Sequence, residues 1–597
     1  MPEAIFREKI KVIDVQLKGL KKTELILSLK KLLFVISGIF FLFRVVLHYT
    51  PFSLYAFLFF LFVFVVTAVI HEHYIKQRNF QTTLKIINQD EIKAIQGAFL
   101  DYGDGGEFED SDHAYTVDLS IFGNRSVFHF INRTTTSLGK KVLSDWLKIV
   151  PDSSQLKRIR DRQKAVQELS EKIDFRQNIQ AYGRNIHDSL EKLESVRLLF
   201  KESHLVLGNT ILISFIHVFP MLTLSAIVLV FFKFSWLIPV GFVLVQGIVN
   251  RIFRKKVNRL YKLTSQNFKV LNVYSKIIRE IESETFKSST LIELQKHYFI
   301  KNRPASLYIK KLSSRLQFFE ARSSKEIHFL MNNIFFWDLH CVYRIEKWKN
   351  DVKLDIDKWF DAVGQFEALS SLGSIYYNHP NWTMPELSDS GFILNAISVG
   401  HPLIPSSERV HNSIELHGDT NIVIITGPNM AGKTTFLKTI GVNIVLALAG
   451  APVCADVFQV SPVRVYTSMK VSDSLDKGLS LFYAELQRLK MVLQAILKRE
   501  PVFFLIDEML KGTNELDRHS GANALIRQLI EHKAEGMVAT HDLELTKLER
   551  DFPGKIWNYF FDGYIEDDKL LFDYLLKKGI CTSSNALELM KKIGINV

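Results

Sequence analysis

A short apolar run followed by a glycine-rich loop, NIVIITGPNMAGKTT at residues 421–435, requires a particular local structure. Residues 422–425 are the uninterrupted branched residues of a buried parallel strand. From Gly427 the chain fits G-x-x-x-x-G-K-[ST], and a helix is predicted from residue 435 to about residue 449. A strand, a loop and a helix in this order place backbone N–H groups and a helix N-terminus around phosphate. The segment therefore predicts a P-loop that binds a nucleotide.

Each part of this loop has an expected contact. The two glycines, Gly427 and Gly432, allow the backbone to wrap a phosphate, and Lys433 can reach the β and γ oxygens. Thr434 offers a hydroxyl to Mg²⁺. The residues predicted to contact the nucleotide within the loop are Gly427, Pro428, Asn429, Met430, Ala431, Gly432, Lys433, Thr434 and Thr435.

Two later apolar segments end in groups that suit phosphate hydrolysis. Residues 503–506 are a predicted strand that ends at Asp507, placed to hold Mg²⁺, and Glu508, placed to act as general base on water. A third predicted strand, residues 536–540, ends at His541, which could contact the γ-phosphate. The alternatives are that the carboxylates are solvated turn residues and that the histidine is structural.

The order of these motifs resembles the ATPase domain of MutS proteins, which belong to the ABC-type ATPases. The resemblance rests on GPNMAGKTT, GLSLFYAEL at 478–486, LIDEMLKGTNELD at 505–517 and VATHDLEL at 538–545. Residues 115–169 are similar to the start of the MutS core, and FDYLLKKGICTSSNALELMKKIGI resembles the family's ending. Three positions depart from the usual pattern: Ala431 replaces a glycine, Leu481 a threonine and Lys511 an arginine.

The resemblance implies how the site works. ABC-type ATPases bind ATP and Mg²⁺ between two subunits, so the implied partner is a second copy of the chain. Ser480 begins a helical pattern and would face the γ-phosphate held by the other subunit. The segment 512–514 would lie at the same interface. DNA is the partner that the family implies, although no base-reading motif is present in the sequence.

Four apolar runs predict membrane helices. Residues 32–49 are apolar except for Arg44, residues 52–70 carry no charge, and residues 211–232 and 234–249 flank Lys233. Runs of this length can cross a bilayer, and the alternative is a buried hairpin of a soluble core. Basic residues in the N-terminal segment and at 251–262 indicate the cytosolic side. We therefore expect a multi-pass protein of the inner or cytoplasmic membrane, with membrane lipids as partners and the ATPase domain in the cytoplasm.

Charge and cysteine content agree with this organisation without deciding it. The 597 residues carry a net charge of +12, which suits either nucleic acid or a membrane protein with basic flanks. The basic cluster at 251–262 is interpreted first as an orientation signal that contacts lipid phosphate, and second as a DNA patch. Cys341, Cys454 and Cys581 lie far apart, which favours free thiols in a reducing compartment.

The predicted fold class is an α/β P-loop ABC-type ATPase domain at the C-terminus, preceded by an all-α core and lever region with four transmembrane helices. Long lever-like helices are expected at 263–297 and 307–361, with little room for a DNA clamp. The mismatch-reading domain of repair-type MutS proteins has no apparent counterpart. The predicted domains are a basic segment (1–31), transmembrane hairpin 1 (32–70), a polar connector (71–114), a core-like region (115–200), transmembrane hairpin 2 (201–250), lever-like helices (251–390) and the ATPase domain (391–597).

Two functions remain open at this point. The first is a membrane-anchored MutS-like ATPase coupled to the binding of DNA, including mismatched or structured DNA. The alternative is a membrane-embedded ABC-type ATPase that acts on a protein, lipid or transported partner without DNA. GLSLF in place of the LSGGQ signature argues against a transporter.

Overall fold

The computed structural model describes most of the chain. The described residues are 2–148, 155–184, 190–264, 267–300, 302–320, 322, 324–352, 355–389, 391–418, 421–469, 481–566 and 569–580.

The first two thirds of the chain are helical, apart from a two-residue β pairing. The elements are α1 (Pro2–Leu47), α2 (Pro51–Ile95), α3 (Val127–Ile131), α4 (Ser137–Leu147), α5 (Leu156–Glu171), α6 (Ile173–Gly183), α7 (Leu190–Lys201), α8 (Thr210–Phe231), α9 (Leu237–Thr264), α10 (Asn267–Ser283), α11 (Ser289–Lys296), β1 (Phe299–Ile300), β2 (Arg303–Pro304), α12 (Ala305–Glu320), α13 (Lys325–Phe335), α14 (Trp337–Val352) and α15 (Ile356–Asn378).

The rest of the chain alternates strands and helices. Its elements are β3 (Glu386–Leu387), β4 (Ile393–Val399), β5 (Asn412–His417), β6 (Ile422–Thr426), α16 (Lys433–Ala449), β7 (Val457–Val460), β8 (Arg464–Ser468), α17 (Leu481–Leu497), β9 (Val502–Asp507), α18 (Glu515–Glu531), β10 (Glu535–Ala539), α19 (Leu548–Asp551), β11 (Ile556–Phe560), β12 (Gly563–Glu566), β13 (Lys569–Phe572) and β14 (Lys577–Lys578).

Helices α1 and α2 form one long antiparallel hairpin. The predicted turn at Thr50 is confirmed, because the Thr50 hydroxyl accepts a hydrogen bond from the Ser53 amide (3.2 Å) and Pro51 opens α2. Below the apolar half, Glu24 pairs with Arg78 at 2.8 Å. The polar connector expected from residue 71 is largely helical, since α2 continues to Ile95. No glycine or proline interrupts residues 52–95, and α1 packs along this half of α2.

Four of the described helices, α1, α2, α8 and α9, are long and apolar enough to cross a membrane by length and composition. Their most apolar windows are mostly exposed, with 0–28% of each window buried inside the protein. The second pair is shorter than the first, and α9 continues past the apolar run through the basic cluster to Thr264.

The prediction of two long, continuous lever-like helices is wrong. Six shorter helices, α10 to α15, occupy this region. Pro304 precedes α12, and Phe336 ends α13 with a left-handed backbone (φ 51°) while its side chain is fully buried. Burial of the Phe336 ring offsets the strain of its left-handed backbone. The chain turns at this residue and continues into α14.

A six-stranded sheet lies at the centre of the C-terminal part, in the order β14-β11-β6-β10-β9-β8, with only β14 antiparallel. Alternate residues of β6 face different cores, as the pleat of a strand requires. Val423 and Ile425 face α16 and the helical region, and Ile422 and Ile424 face α17 and α18. The predicted strands before the loop, before the carboxylates and before the histidine are confirmed as β6, β9 and β10. Parallel β6, β10 and β9 are adjacent, so their carboxyl ends meet at one edge.

Candidate nucleotide-binding site

The glycine-rich loop follows β6 directly and requires glycine at both ends. Gly427 has φ 137°, and a Cβ there would lie 2.4 Å from the Phe561 carbonyl oxygen. Gly432 has φ 108° and caps α16, which begins at Lys433, two residues earlier than predicted. Ala431 is buried and does not have a positive φ, so alanine replaces the family's glycine without backbone strain.

The Lys433 ammonium is held over the loop. It donates hydrogen bonds to the carbonyl oxygens of Gly427 (2.8 Å) and Pro428 (3.0 Å) and lies 3.2 Å from His541 Nε2. The residue is only 5% exposed, and its ammonium lies at the mouth of the loop. An anion placed above the loop would meet this ammonium and the N-terminus of α16 together.

A hydroxyl and a carboxylate meet beneath the loop. Thr434 Oγ1 donates to Asp507 Oδ2 at 2.7 Å. The other carboxylate oxygen, Asp507 Oδ1, is buried and has no hydrogen-bond partner among the described residues. Mg²⁺ is bound in proteins by one or two carboxylates together with hydroxyl, water and phosphate oxygens. The orphaned oxygen and the threonine hydroxyl fit that ligand set.

Glu508 stands one residue beyond β9 in a left-handed conformation (φ 57°), which turns its side chain away from the strand. Its Oε1 lies 3.1 Å from His541 Nε2, and its Oε2 lies 3.3 Å from Lys511 Nζ. Partial burial alone would raise the pKa of Glu508. The charges of Lys511, His541 and Lys433 outweigh burial, and the pKa lies below its usual value. The carboxylate is therefore ionised at neutral pH and able to accept a proton.

His541 connects the loop to the carboxylates. Its Nε2 lies 2.7 Å from Asn429 Oδ1 in addition to its contact with Glu508. Burial first, and then the Lys433 charge, lower the pKa of His541. The imidazole is accordingly neutral at pH 7. The structure thus brings together the loop, Asp507, Glu508 and His541, while Ser480 lies outside the described residues.

Sequence reasoning missed the pocket beside the loop. This pocket has a volume of about 460 Å³ and borders Gly432 and Thr435 on one side. Phe561, Tyr574 and His401 form other parts of its wall. They come from segments far apart in the chain, so no local pattern indicated them. The volume is in the range of small-molecule sites, about 300–1,000 Å³.

Glu485 is a second residue that the sequence analysis did not single out. It lies on α17 within GLSLFYAEL and is buried, and its carboxylate accepts hydrogen bonds from the backbone amides of Leu510 and Lys511 (3.1 Å for the second). A Cβ on Gly512 would lie 2.7 Å from Phe482 Cβ, so the loop after Glu508 packs tightly on α17. The signal in the sequence that could have indicated this residue was a charged side chain inside a motif of mostly apolar residues.

The helical region holds both sides of the site. Asp118 Oδ2 accepts hydrogen bonds from Thr467 Oγ1 (2.7 Å) on β8 and from the Met469 amide (3.1 Å). Arg162 on α5 donates to the carbonyl oxygen of Ala449 (2.8 Å), the last residue of α16. A cation at a helix C-terminus stabilises the helix dipole. The loop helix is therefore fixed to α5 as well as to the sheet.

Two family models match the chain. MutS domain III matches residues 113–499, more than half of the chain, and MutS domain V matches residues 423–596. A mostly helical region followed by mixed sheets fits these two domains.

Similar proteins include DNA mismatch repair proteins MutS. That of Persephonella marina is 32% identical over 244 residues, which is 40% of this chain and 28% of that protein. That of Fusobacterium nucleatum subsp. nucleatum is 29% identical over 255 residues, 41% of this chain and 28% of that protein. DNA mismatch repair protein MutS 2 of Halobacterium salinarum is 31% identical over 240 residues, 39% of this chain and 27% of that protein. Each match thus spans less than a third of the relative's length.

Proposed function

This chain belongs to the MutS family, and on that premise we propose that it is a membrane-anchored ATPase that couples ATP hydrolysis to DNA binding. Two copies of the chain would enclose ATP and Mg²⁺ between them. The convergence of the glycine-rich loop, Asp507, Glu508 and His541 at the carboxyl ends of adjacent strands carries the proposal.

Each residue has a role that its contacts support. The loop amides and Lys433 bind the phosphates, with the ammonium exchanging its carbonyl partners for phosphate oxygens. Glu508, ionised and hydrogen-bonded to neutral His541, accepts the proton of the attacking water. Thr434 and Asp507 would hold Mg²⁺, which when bound offsets the charge on the phosphate oxygens. Ser480 of the second copy would complete the site.

Membrane anchoring is the second part of the proposal. The four apolar helices α1, α2, α8 and α9 support it, together with the exposure of their apolar side chains. The charged lower half of the first hairpin and the basic end of α9 support a cytoplasmic position for the ATPase domain.

Membership of the MutS family and the naming of its relatives as DNA mismatch repair proteins support DNA binding, and the basic net charge of +12 is compatible with it. The apolar helices favour a second candidate, in which the ATPase works on a membrane protein or lipid partner without DNA.

One measurement separates the two candidates. The full chain is purified in detergent or nanodiscs, and its ATPase rate is measured with no DNA, homoduplex, mismatched duplex and a four-way junction. A rate that changes with DNA supports the first candidate. An ATPase rate that none of these DNAs changes supports the second, and a chain that does not hydrolyse ATP at all contradicts both.

A further inference from the structure

A groove of about 400 Å³ runs along α8 beside α13 and α14. Met221 and Leu224 of α8 form one wall, and Phe335 of α13 and Trp337 of α14 form the other. Trp337 is itself stacked on Phe318 of α12, with ring centroids 3.9 Å apart. The groove is open and apolar, and its size is that of a small-molecule site.

The groove is continuous with the apolar surface of the second hairpin. Gln246 Nε2 on α9 donates to the Ile334 carbonyl oxygen (3.2 Å), and Asn250 Nδ2 donates to that of Asn332 (2.7 Å). These bonds satisfy carbonyls at the end of α13 and fix it against the part of α9 where the apolar run ends. Phe329, about one turn before these residues on α13, is 72% exposed. With α8 and α9 in the membrane as proposed above, the groove would open beside their apolar runs.

The two ends of the groove differ in polarity. Leu224 lies toward the apolar tip of α8, and His217 lies about 10 Å back toward its N-terminus. His340 and Arg344 of α14 line this second end. The His217 and His340 rings are in edge contact, with centroids 4.8 Å apart.

Two arginines lie near the polar end, and the carboxylates close to it are those of Asp338 and Asp351. Arg315 on α12 donates to the Arg344 carbonyl oxygen at 2.5 Å, which brings two guanidinium-bearing residues together. Burial first, and then the Arg344 charge, lower the pKa of Arg315. The nearby carboxylate of Asp338 is already engaged, 3.3 Å from Arg322 and 3.1 Å from His328. An anion at this end would relieve the repulsion between the two arginines.

We propose that this groove binds one anionic phospholipid of the cytosolic leaflet, with an acyl chain along Met221, Leu224 and Phe335 and the headgroup phosphate at Arg344. An apolar groove beside a proposed membrane helix, with an arginine at one end, matches the two parts of such a lipid, and guanidinium groups bind phosphate in a bidentate manner. The proposal rests on the membrane anchoring proposed above.

The test is a titration of the delipidated full chain in detergent with dioleoyl-phosphatidylglycerol, read by native mass spectrometry. Wild type is expected to bind one lipid tightly. Arg344→Gln should weaken this binding at least tenfold, and Lys347→Gln, an exposed charge on the same helix outside the groove, should change it less than twofold. Leu224→Trp should block the groove, whereas Leu222→Trp, similarly exposed on α8 but not lining it, should not.

A second readout locates the chain of the lipid. Phosphatidylglycerol with brominated acyl chains should quench the fluorescence of Trp337, which lines the groove. The Trp337→Phe variant identifies this signal, because it lacks the Trp337 fluorescence and should lose the corresponding part of the quenching. Equal binding by Arg344→Gln and Lys347→Gln, or competition by inorganic phosphate as strong as by the lipid, would overturn the proposal. A carbonate wash of wild-type membranes is run in parallel. A protein that washes off fails the anchoring proposal as well, whereas an inserted protein without the lipid fails this inference alone.

Discussion

At the scale of single residues, the site is a set of charges that balance one another. Lys433 is placed between loop carbonyls and His541, and Glu508 is placed between His541 and Lys511. The charges of Lys511, His541 and Lys433 lower the pKa of Glu508 against the opposing effect of burial, whereas burial and the Lys433 charge both lower the pKa of His541. One ionised carboxylate and one neutral imidazole at neutral pH are the protonation states that general-base catalysis requires.

The first prediction compares two residues of this set. Lys433→Ala should abolish hydrolysis and weaken ATP binding, because it removes the cation facing the β and γ oxygens. Glu508→Gln should keep ATP binding and lose turnover, so that a dimer accumulates with ATP. Nucleotide-dependent sedimentation and ATPase rates of the two variants check this, with Lys498→Ala and Glu531→Gln, both exposed and distant in sequence, as charge-matched controls. Wild-type turnover in Glu508→Gln would remove Glu508 from the general-base role.

At the scale of elements, buried carboxylates join helices to the parts that they control. Glu485 ties α17 to the loop after Glu508. Glu91, near the end of α2, pairs with buried Arg133 at 2.6 Å and accepts a hydrogen bond from Asn378 Nδ2 at 2.5 Å. Burial opposes the ionisation of Glu91, and Arg133 offsets it, leaving the pKa below its usual value. The first hairpin is thereby fixed to the helical region rather than loosely tethered.

The second prediction concerns Glu485. Glu485→Ala leaves two backbone amides without their acceptor, a cost of about 1–3 kcal/mol for each buried group. We expect kcat to fall about tenfold to 100-fold with KM for ATP nearly unchanged, because Glu508 is displaced while the loop is not. Steady-state kinetics measure both constants, with Gln487→Ala on the exposed face of α17 as control. A change confined to KM would mean that Glu485 does not position Glu508.

The third prediction concerns the buried ion pair. Arg133→Met leaves the Glu91 carboxylate buried without its cation and should cost about 3–5 kcal/mol of the free energy of unfolding. The double variant Glu91→Met, Arg133→Met should be less destabilised than Arg133→Met, because it removes the unpaired charge. Thermal unfolding of the full chain in nanodiscs, in a double-mutant cycle, gives the comparison. Equal destabilisation of single and double variants would contradict it.

At the scale of the whole molecule, one chain of contacts leads from the first apolar hairpin, α1 and α2, to the candidate site. Helix α2 meets the helical region through Glu91 and Arg133, and that region contacts β8 through Asp118 and α16 through Arg162. Closure of two ATPase domains would therefore act on elements fixed to the apolar helices. Coupling of this kind requires structural elements with two arrangements, and the presence or absence of ATP would select between them.

The fourth prediction is membrane insertion. The four apolar helices should hold the protein in the membrane fraction after a carbonate wash. Cysteine variants at the exposed turn residues Tyr49 and Phe232 should react with an impermeant thiol reagent only from the extracytoplasmic side. Lys498→Cys in the ATPase domain is the cytoplasmic control, and Cys341 and Cys454 are buried. A monodisperse protein that is soluble without detergent would contradict the insertion.

The fifth prediction concerns DNA. Affinities for homoduplex and single-mismatch duplex should differ by less than about tenfold, or about 1.4 kcal/mol, because no mismatch-reading element was recognised in the sequence. Binding should come from lysine and arginine contacts to phosphates and fall steeply with salt. Titrations on both duplexes at two salt concentrations in nanodiscs measure this. Strong mismatch preference would point to a reading element within the chain.

Residues close to one another in the sequence determined the individual strands, loops and helices. The branched residues before Gly427 determined β6, the glycines determined the shape of the loop, and the charge-free run at 52–70 determined an apolar helix. These features depend on side-chain size, backbone freedom and solvation within a few residues. The roles of Lys433, Asp507 and Glu508 were therefore predicted from the motif and stay predictions, while the structure shows that the three side chains lie near one another around Thr434 and His541.

Contacts between distant segments determined the rest. Asn429 and His541 meet across 112 residues, and Glu91 meets Asn378 across 287. The break at Phe336 depends on the pocket that buries its ring, and the groove along α8 depends on how α8, α13 and α14 pack. A helical pattern in sequence specifies which residues share a face, but the packing partner that decides where a helix ends, or what a polar side chain binds, is set by the tertiary structure.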